Sequence, residues 1–84
     1  MITVDEVAAL VRRELRGKLR ADTVLDADTR LDDLGMSSLQ VSEVIFSLEE
    51  RHGFEFDAAK AADVRSVGEV VALANESLAA VAQP

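Results

Sequence analysis

Chemistry in this 84-residue chain could be carried by a doubled serine, Ser37-Ser38, one histidine, His52, and sixteen carboxylates, with no cysteine to act as nucleophile or thiolate ligand. Ser38 and His52 do not make a nucleophile–base pair. They fall at opposite ends of one predicted helix, about 20 Å apart at ~1.5 Å rise per residue, and such a pair must lie within hydrogen-bond reach. One histidine without thiolates cannot build a structural zinc site. The run Asp26-x-Asp28-x-Arg30 fails as a calcium loop, because Arg30 puts a cation at a ligand position, Leu31 stands where glycine is needed and Ser37 where glutamate is needed. A phosphate-cradling glycine loop is missing, and the acids are spread over loops and helix faces instead of meeting in a pocket. These absences describe a chain that is acted upon, not an enzyme.

The stretch Leu34-Gly35-Met36-Ser37-Ser38-Leu39-Gln40 is where that action would fall. Gly35 ends whatever precedes it. Ser37 then reads as an N-cap, and Gln40 completes a capping box that satisfies two backbone donors. Ser38 is thereby left at the first helical position with a hydroxyl not needed for capping. Unpaired N–H groups and the macrodipole make a helix mouth favourable for an anion, so a serine there is well placed to carry a phosphate ester.

The elements that must position this serine are helical. Thr3 and Glu6 make a capping box for a helix of about residues 4–16, with Val4, Val7, Ala8, Val11 and Leu15 on one stripe and Gly17 as its stop. Residues 17–36 form a long connection rich in turn and cap formers. Val24, Leu25, Leu31 and Leu34 are expected to pin it to the bundle, and Leu31-Asp32-Asp33-Leu34 to make a short turn. The second helix runs from about Ser38 to Arg51. Val41, Val44, Ile45 and Leu48 share its core face, whereas Leu39 and Phe46 lie roughly opposite, with Ser42, Glu43 and Glu50. An exposed Leu and Phe ringed by acids read as a docking surface with apolar anchors.

Phe54 and Phe56 are expected to fill a hydrophobic corner. Asp57 caps a short helix of about residues 58–63, and Ser66 with Glu69 opens a last helix to about residue 81, carrying Val67, Val70, Val71, Ala74, Leu78 and Val81 on its stripe; Gly68 weakens its start. The expected fold is all-α: an antiparallel four-helix bundle of three long helices and one short, with a long first loop, in a single domain spanning residues 1–84.

The net charge of −7 argues against nucleic acid as a partner. Residues 1–20 carry net +2, residues 21–57 net −8 and residues 58–84 net −1, so the acidity flanks Ser38. Partners should therefore present Arg and Lys, since complementary fields raise encounter rates. No apolar run approaches membrane-spanning length and no signal-peptide pattern is evident, which makes a soluble, cytoplasmic monomer the expectation, without membrane attachment.

The segment Leu34-Gly35-Met36-Ser37-Ser38-Leu39 resembles the Leu-Gly-x-Asp-Ser-Leu signature of the acyl carrier proteins, which are carriers and not enzymes. The resemblance extends over almost the whole chain, from the first helix through the long acidic loop to Leu48-Glu49-Glu50-Arg51-His52-Gly53 and the final helix. It implies that Ser38 receives a 4′-phosphopantetheine arm from coenzyme A, attached by a phosphopantetheinyl transferase, and that the arm's thiol carries an acyl group as a thioester. It also implies a partner surface of Leu39, Glu43, Phe46 and Glu50, the face already reached from helical phase, with Ser37 at its edge. Acyl-loading enzymes and an acyltransferase or ketosynthase with basic docking surfaces would be the visitors, and no metal is implied.

One residue departs from the family pattern: Ser37 stands where the family usually has Asp. Serine caps as well as aspartate, but one charge is lost beside Ser38, which points to a broad-specificity transferase. Gly35-Met36 fits an acyl carrier better than a peptidyl carrier, whose motif more often has Gly-Gly. Gln40 and Ser42 lean toward polyketide or hybrid natural-product synthesis over fatty-acid synthesis, in a discrete carrier. The alternatives are a peptidyl (aminoacyl) carrier and an unmodified helical adaptor.

Overall fold

The computed structural model describes residues 1–20 and 22–82, and within them four helices: α1 (Val4–Glu14), α2 (Ser38–His52), α3 (Ala58–Ala61) and α4 (Val67–Ala82). The expected all-α bundle with one short member is what the chain forms, and α1 packs against both α2 and α4. Two buried sides explain why Leu10, off the predicted stripe, is as deeply buried as Val7 and Val11. Each fully buried aliphatic side chain of this kind contributes roughly 1.5–3 kcal/mol. Leu48, Phe54, Phe56, Val67 and Val70 complete the same cluster, and the Phe54 and Phe56 rings meet at 5.0 Å as the expected corner.

Cross-links along α1 and α2 define their antiparallel register. Glu6 accepts from His52 Nε2 at 2.9 Å and pairs with Arg51 at 3.5 Å. Arg13 donates to Ser47 Oγ at 2.7 Å, and Gln40 reaches the Glu14 carbonyl at 3.1 Å. The C-terminal end of α1 therefore lies beside the mouth of α2. Only half of the Thr3–Glu6 capping box forms: Thr3 accepts from the Glu6 N–H at 3.1 Å, while the Glu6 carboxylate is drawn to α2. α1 also ends earlier than expected, at Glu14, with Gly17 left-handed in the turn that follows. The last turn of the predicted third helix is likewise lost, residues 62–63 forming a turn.

The long loop is held by backbone bonds as well as by three of the four side chains the sequence singles out. Leu31 N–H donates to Arg65 O, Val67 N–H to Thr29 O and Gly68 N–H to Ala27 O, at 2.9, 3.0 and 2.8 Å. The last two satisfy the first N–H groups of α4, which otherwise lack partners. Leu31 is buried, and Leu25 and Leu34 pack partly on the core. Val24, in contrast, is 78% exposed and pins nothing, and Val81 at the far end of the α4 stripe is 56% exposed. Glu69 caps α4 one residue further out than a standard box: its carboxylate accepts from Arg65 N–H at 2.7 Å, while Ser66 Oγ accepts from Glu69 N–H at 3.1 Å.

Candidate functional site at the mouth of helix 2

Gly35, at φ 77°, turns the chain out of the 31–35 turn and into Ser37. The capping box then forms in full: Ser37 Oγ accepts from Gln40 N–H at 3.2 Å and Gln40 Oε1 accepts from Ser37 N–H at 2.9 Å. Gln40 does more than the pattern foretold. Its amide nitrogen donates to the Glu14 carbonyl, one of the orphan acceptors at the end of α1, so one side chain closes two helix termini.

Ser38 is left exposed at the first position of α2, and its hydroxyl enters no hydrogen bond among the described residues. The N–H groups of Ser38 and Leu39 likewise have no acceptor among them. The mouth of α2 therefore offers one uncommitted hydroxyl and two uncommitted donors at the positive end of a helix.

A groove of about 590 Å³ runs from Ser38 between α2 and α3. Val41 and Ile45 of α2 form one wall, and Ala58, Ala61 and Ala62 face them. The alanines are the physical cause of the groove: methyl groups are too short to close the space that larger side chains would fill. Val41 and Ile45 are consequently half-buried, and of the four residues expected on the core face only Val44 and Leu48 are sealed from solvent. Leu31 and Met36 close the loop side, and Asp32, Ser42 and Arg65 complete the rim with Ser38. Hydrogen bonds from the Arg30 guanidinium, helped by its charge, hold the Asp32 carboxyl below its usual range.

On the opposite phase of α2, Leu39 and Phe46 are 70% and 58% exposed, and Glu43 and Glu50 beside them are exposed as well. The loop does not fold over Phe46. Ser37, the other candidate contact, is exposed at the edge of this face but spends its oxygen on the cap. His52, distant from Ser38 at the other end of α2, serves the bundle through Glu6. Among the described residues no cluster of metal-ligating side chains occurs, and no helix is long and apolar enough to cross a membrane. Sequence reasoning missed the part played by Arg65, Asp32 and the α3 alanines, which come together only across the packed loop.

A small helical bundle presenting an uncommitted serine at a helix mouth beside a groove has the form of a carrier. The family described as "Phosphopantetheine attachment site" matches residues 5–74. The chain is 37% identical over 76 residues to the chloroplastic acyl carrier protein 2 of Arabidopsis thaliana, covering 90% of this chain and 54% of that protein. It is 31% identical over 67 residues to the acyl carrier protein of Chlamydia muridarum, covering 80% and 84%. It spans about half the length of the plant relatives it matches, 46% of the spinach protein and 54% of the Arabidopsis one. The solution structure of the acetyl actinorhodin acyl carrier protein from Streptomyces coelicolor superposes with a TM-score of 0.80 at 28% identity, over 96% of this chain and 95% of that one. The chain belongs to the acyl carrier protein family, whose members bear phosphopantetheine and are carriers rather than enzymes.

Proposed function

We propose that residues 1–84 act as one carrier domain in which Ser38 holds a 4′-phosphopantetheine arm, and with it an acyl group that is passed between partner enzymes. The observation that carries this reading is the uncommitted Ser38 hydroxyl beside the free Ser38 and Leu39 N–H groups. In loading, Ser38 Oγ attacks the coenzyme A phosphorus next to the pantetheine oxygen. A new phosphodiester bond forms, the hydroxyl proton passes to the transferase's base, and adenosine 3′,5′-bisphosphate leaves. The two N–H groups and the dipole of α2 then steady the negative phosphodiester. Once attached, the arm supplies a terminal thiol on which an acyl group rides as a thioester. Val41, Ile45 and the α3 alanines offer that acyl chain apolar shelter from water.

Leu39 and Phe46 supply the apolar anchors for visiting enzymes, and Glu43 and Glu50 the charges that steer basic surfaces toward them. Ser37 contributes a neutral edge suited to a broad-specificity transferase. Acyl transfer needs contacts that form and release quickly, which favours a small, electrostatically steered patch. Likeness to the actinorhodin carrier supports a polyketide or hybrid natural-product pathway, and the sequence expectation of a cytoplasmic carrier is kept with it.

Intact-mass measurement after incubation with coenzyme A and a promiscuous transferase tests the assignment. The wild-type chain gains the arm; Ser38→Ala does not, and melts within about 0.5 kcal/mol of wild type because an exposed hydroxyl is removed. A Ser38→Ala chain modified at Ser37 would overturn the choice of hydroxyl. A wild-type chain that stays bare would favour an unmodified adaptor.

A further inference from the structure

Arg65 is fixed on the groove rim by its backbone. Its N–H donates to Glu69 Oε1 at 2.7 Å and its carbonyl accepts from Leu31 N–H at 2.9 Å, so the residue is locked from both the helix and the loop sides. Its guanidinium leans on the carbonyls that follow α3, with Nη1 donating to Ala62 O and Val64 O at 3.2 and 3.5 Å. It forms no ion pair among the described residues. Two acids around it are already engaged: Glu69 is turned to the backbone N–H, and Asp32 on the same groove is bridged by both Arg30 Nε and Nη2 at 3.1 and 3.2 Å. A chain with net charge −7 thus places a cation without an ion-pair partner among the described residues, with Nε and Nη2 still free to donate, beside an alanine-lined groove.

An apolar floor ending at a guanidinium matches a particular chemistry. We propose that Arg65 is a specificity-determining residue of the groove, favouring acyl groups that end in a carboxylate over plain alkyl chains. The methylenes lie over Ala58, Ala61 and Ile45, and the terminal carboxylate stays at the hydrated rim, where it accepts from Nε and Nη2 in the forked geometry an arginine offers. The inference rests on the carrier reading, with the arm on Ser38.

The test loads the full chain with hexanoyl- and adipoyl-coenzyme A through a promiscuous transferase; the two cargoes have the same four methylenes and differ only in ending on a methyl or a carboxylate. Intact mass reports loading separately. Expected are a shift of the Arg65 Nε–H resonance with adipoyl but not hexanoyl cargo, and hydroxylamine cleavage of the adipoyl thioester slowed about fivefold relative to hexanoyl, each rate divided by that of its free coenzyme A thioester. Arg65→Met erases the difference, Arg65→Lys keeps part of it, and high salt shrinks it. Equal behaviour of the two wild-type adducts, or a difference that survives Arg65→Met, would overturn the proposal while leaving the carrier reading intact. An equal change for both cargoes on substitution would place Arg65 on the phosphodiester instead, and also overturn it. Failure of the wild-type chain to load would remove both.

Discussion

Gly68 donates its N–H to the Ala27 carbonyl at 2.8 Å, and a β-carbon at residue 68 would stand 2.8 Å from that same oxygen. The glycine read from the sequence as a slight weakness of the last helix is what lets the long loop lie against it. Helix propensity alone favours alanine by about 1 kcal/mol at such a site. The contact reverses the sign, because backbone cannot swing aside as a flexible side chain would. Gly68→Ala should therefore destabilise by about 1–3 kcal/mol, lowering the melting temperature by roughly 4–8 °C per kcal/mol for a domain of this size. A more stable variant in calorimetry would show that the loop is not seated there.

Gln40 joins two helix ends through three hydrogen bonds, two of them to the Ser37 cap and one to Glu14 O. Gln40→Ala should cost about 1–2 kcal/mol in chemical denaturation. Gln40→Glu keeps the acceptor for Ser37 N–H but turns a donor into a carboxylate facing the carbonyl end of α1, where the dipole is negative. It should not return to wild-type stability. Recovery by glutamate would assign the whole effect to the cap and none to the tie to α1.

Phe46 is 58% exposed and contributes to no described core contact. Under the proposed function, Phe46→Ala should lower kcat/KM for loading by a phosphopantetheinyl transferase roughly tenfold, about 1.4 kcal/mol, the scale of the minority of interface residues whose truncation costs more than about 1 kcal/mol. Its stability should stay within about 0.5 kcal/mol of wild type. Unfolding would place the ring in the core; unaltered loading kinetics would remove it from the surface this enzyme uses.

Local order is legible in the sequence. The four helices, the Ser37–Gln40 box, the end of α2 near Arg51 and the outward face of Leu39 and Phe46 follow from spacing within a few residues, because caps and helical phase are short-range properties. The same reasoning misjudged groups whose partners come from far along the chain. Glu6, a cap for its own helix by spacing, turns to His52, and Val24, apolar and in a loop that packs elsewhere, stays in water.

What the sequence by itself determined, then, is the set of helices and the free position of Ser38 at one of their mouths, since each follows from neighbours three or four residues away. Only the tertiary structure decided the groove, the need for glycine at residue 68 and the place of Arg65 on the rim. Those depend on a loop that crosses from α1 to α2 and is tied to the start of α4 by backbone bonds at Ala27, Thr29 and Leu31, a docking carried by atoms every residue shares and so written in no side-chain pattern.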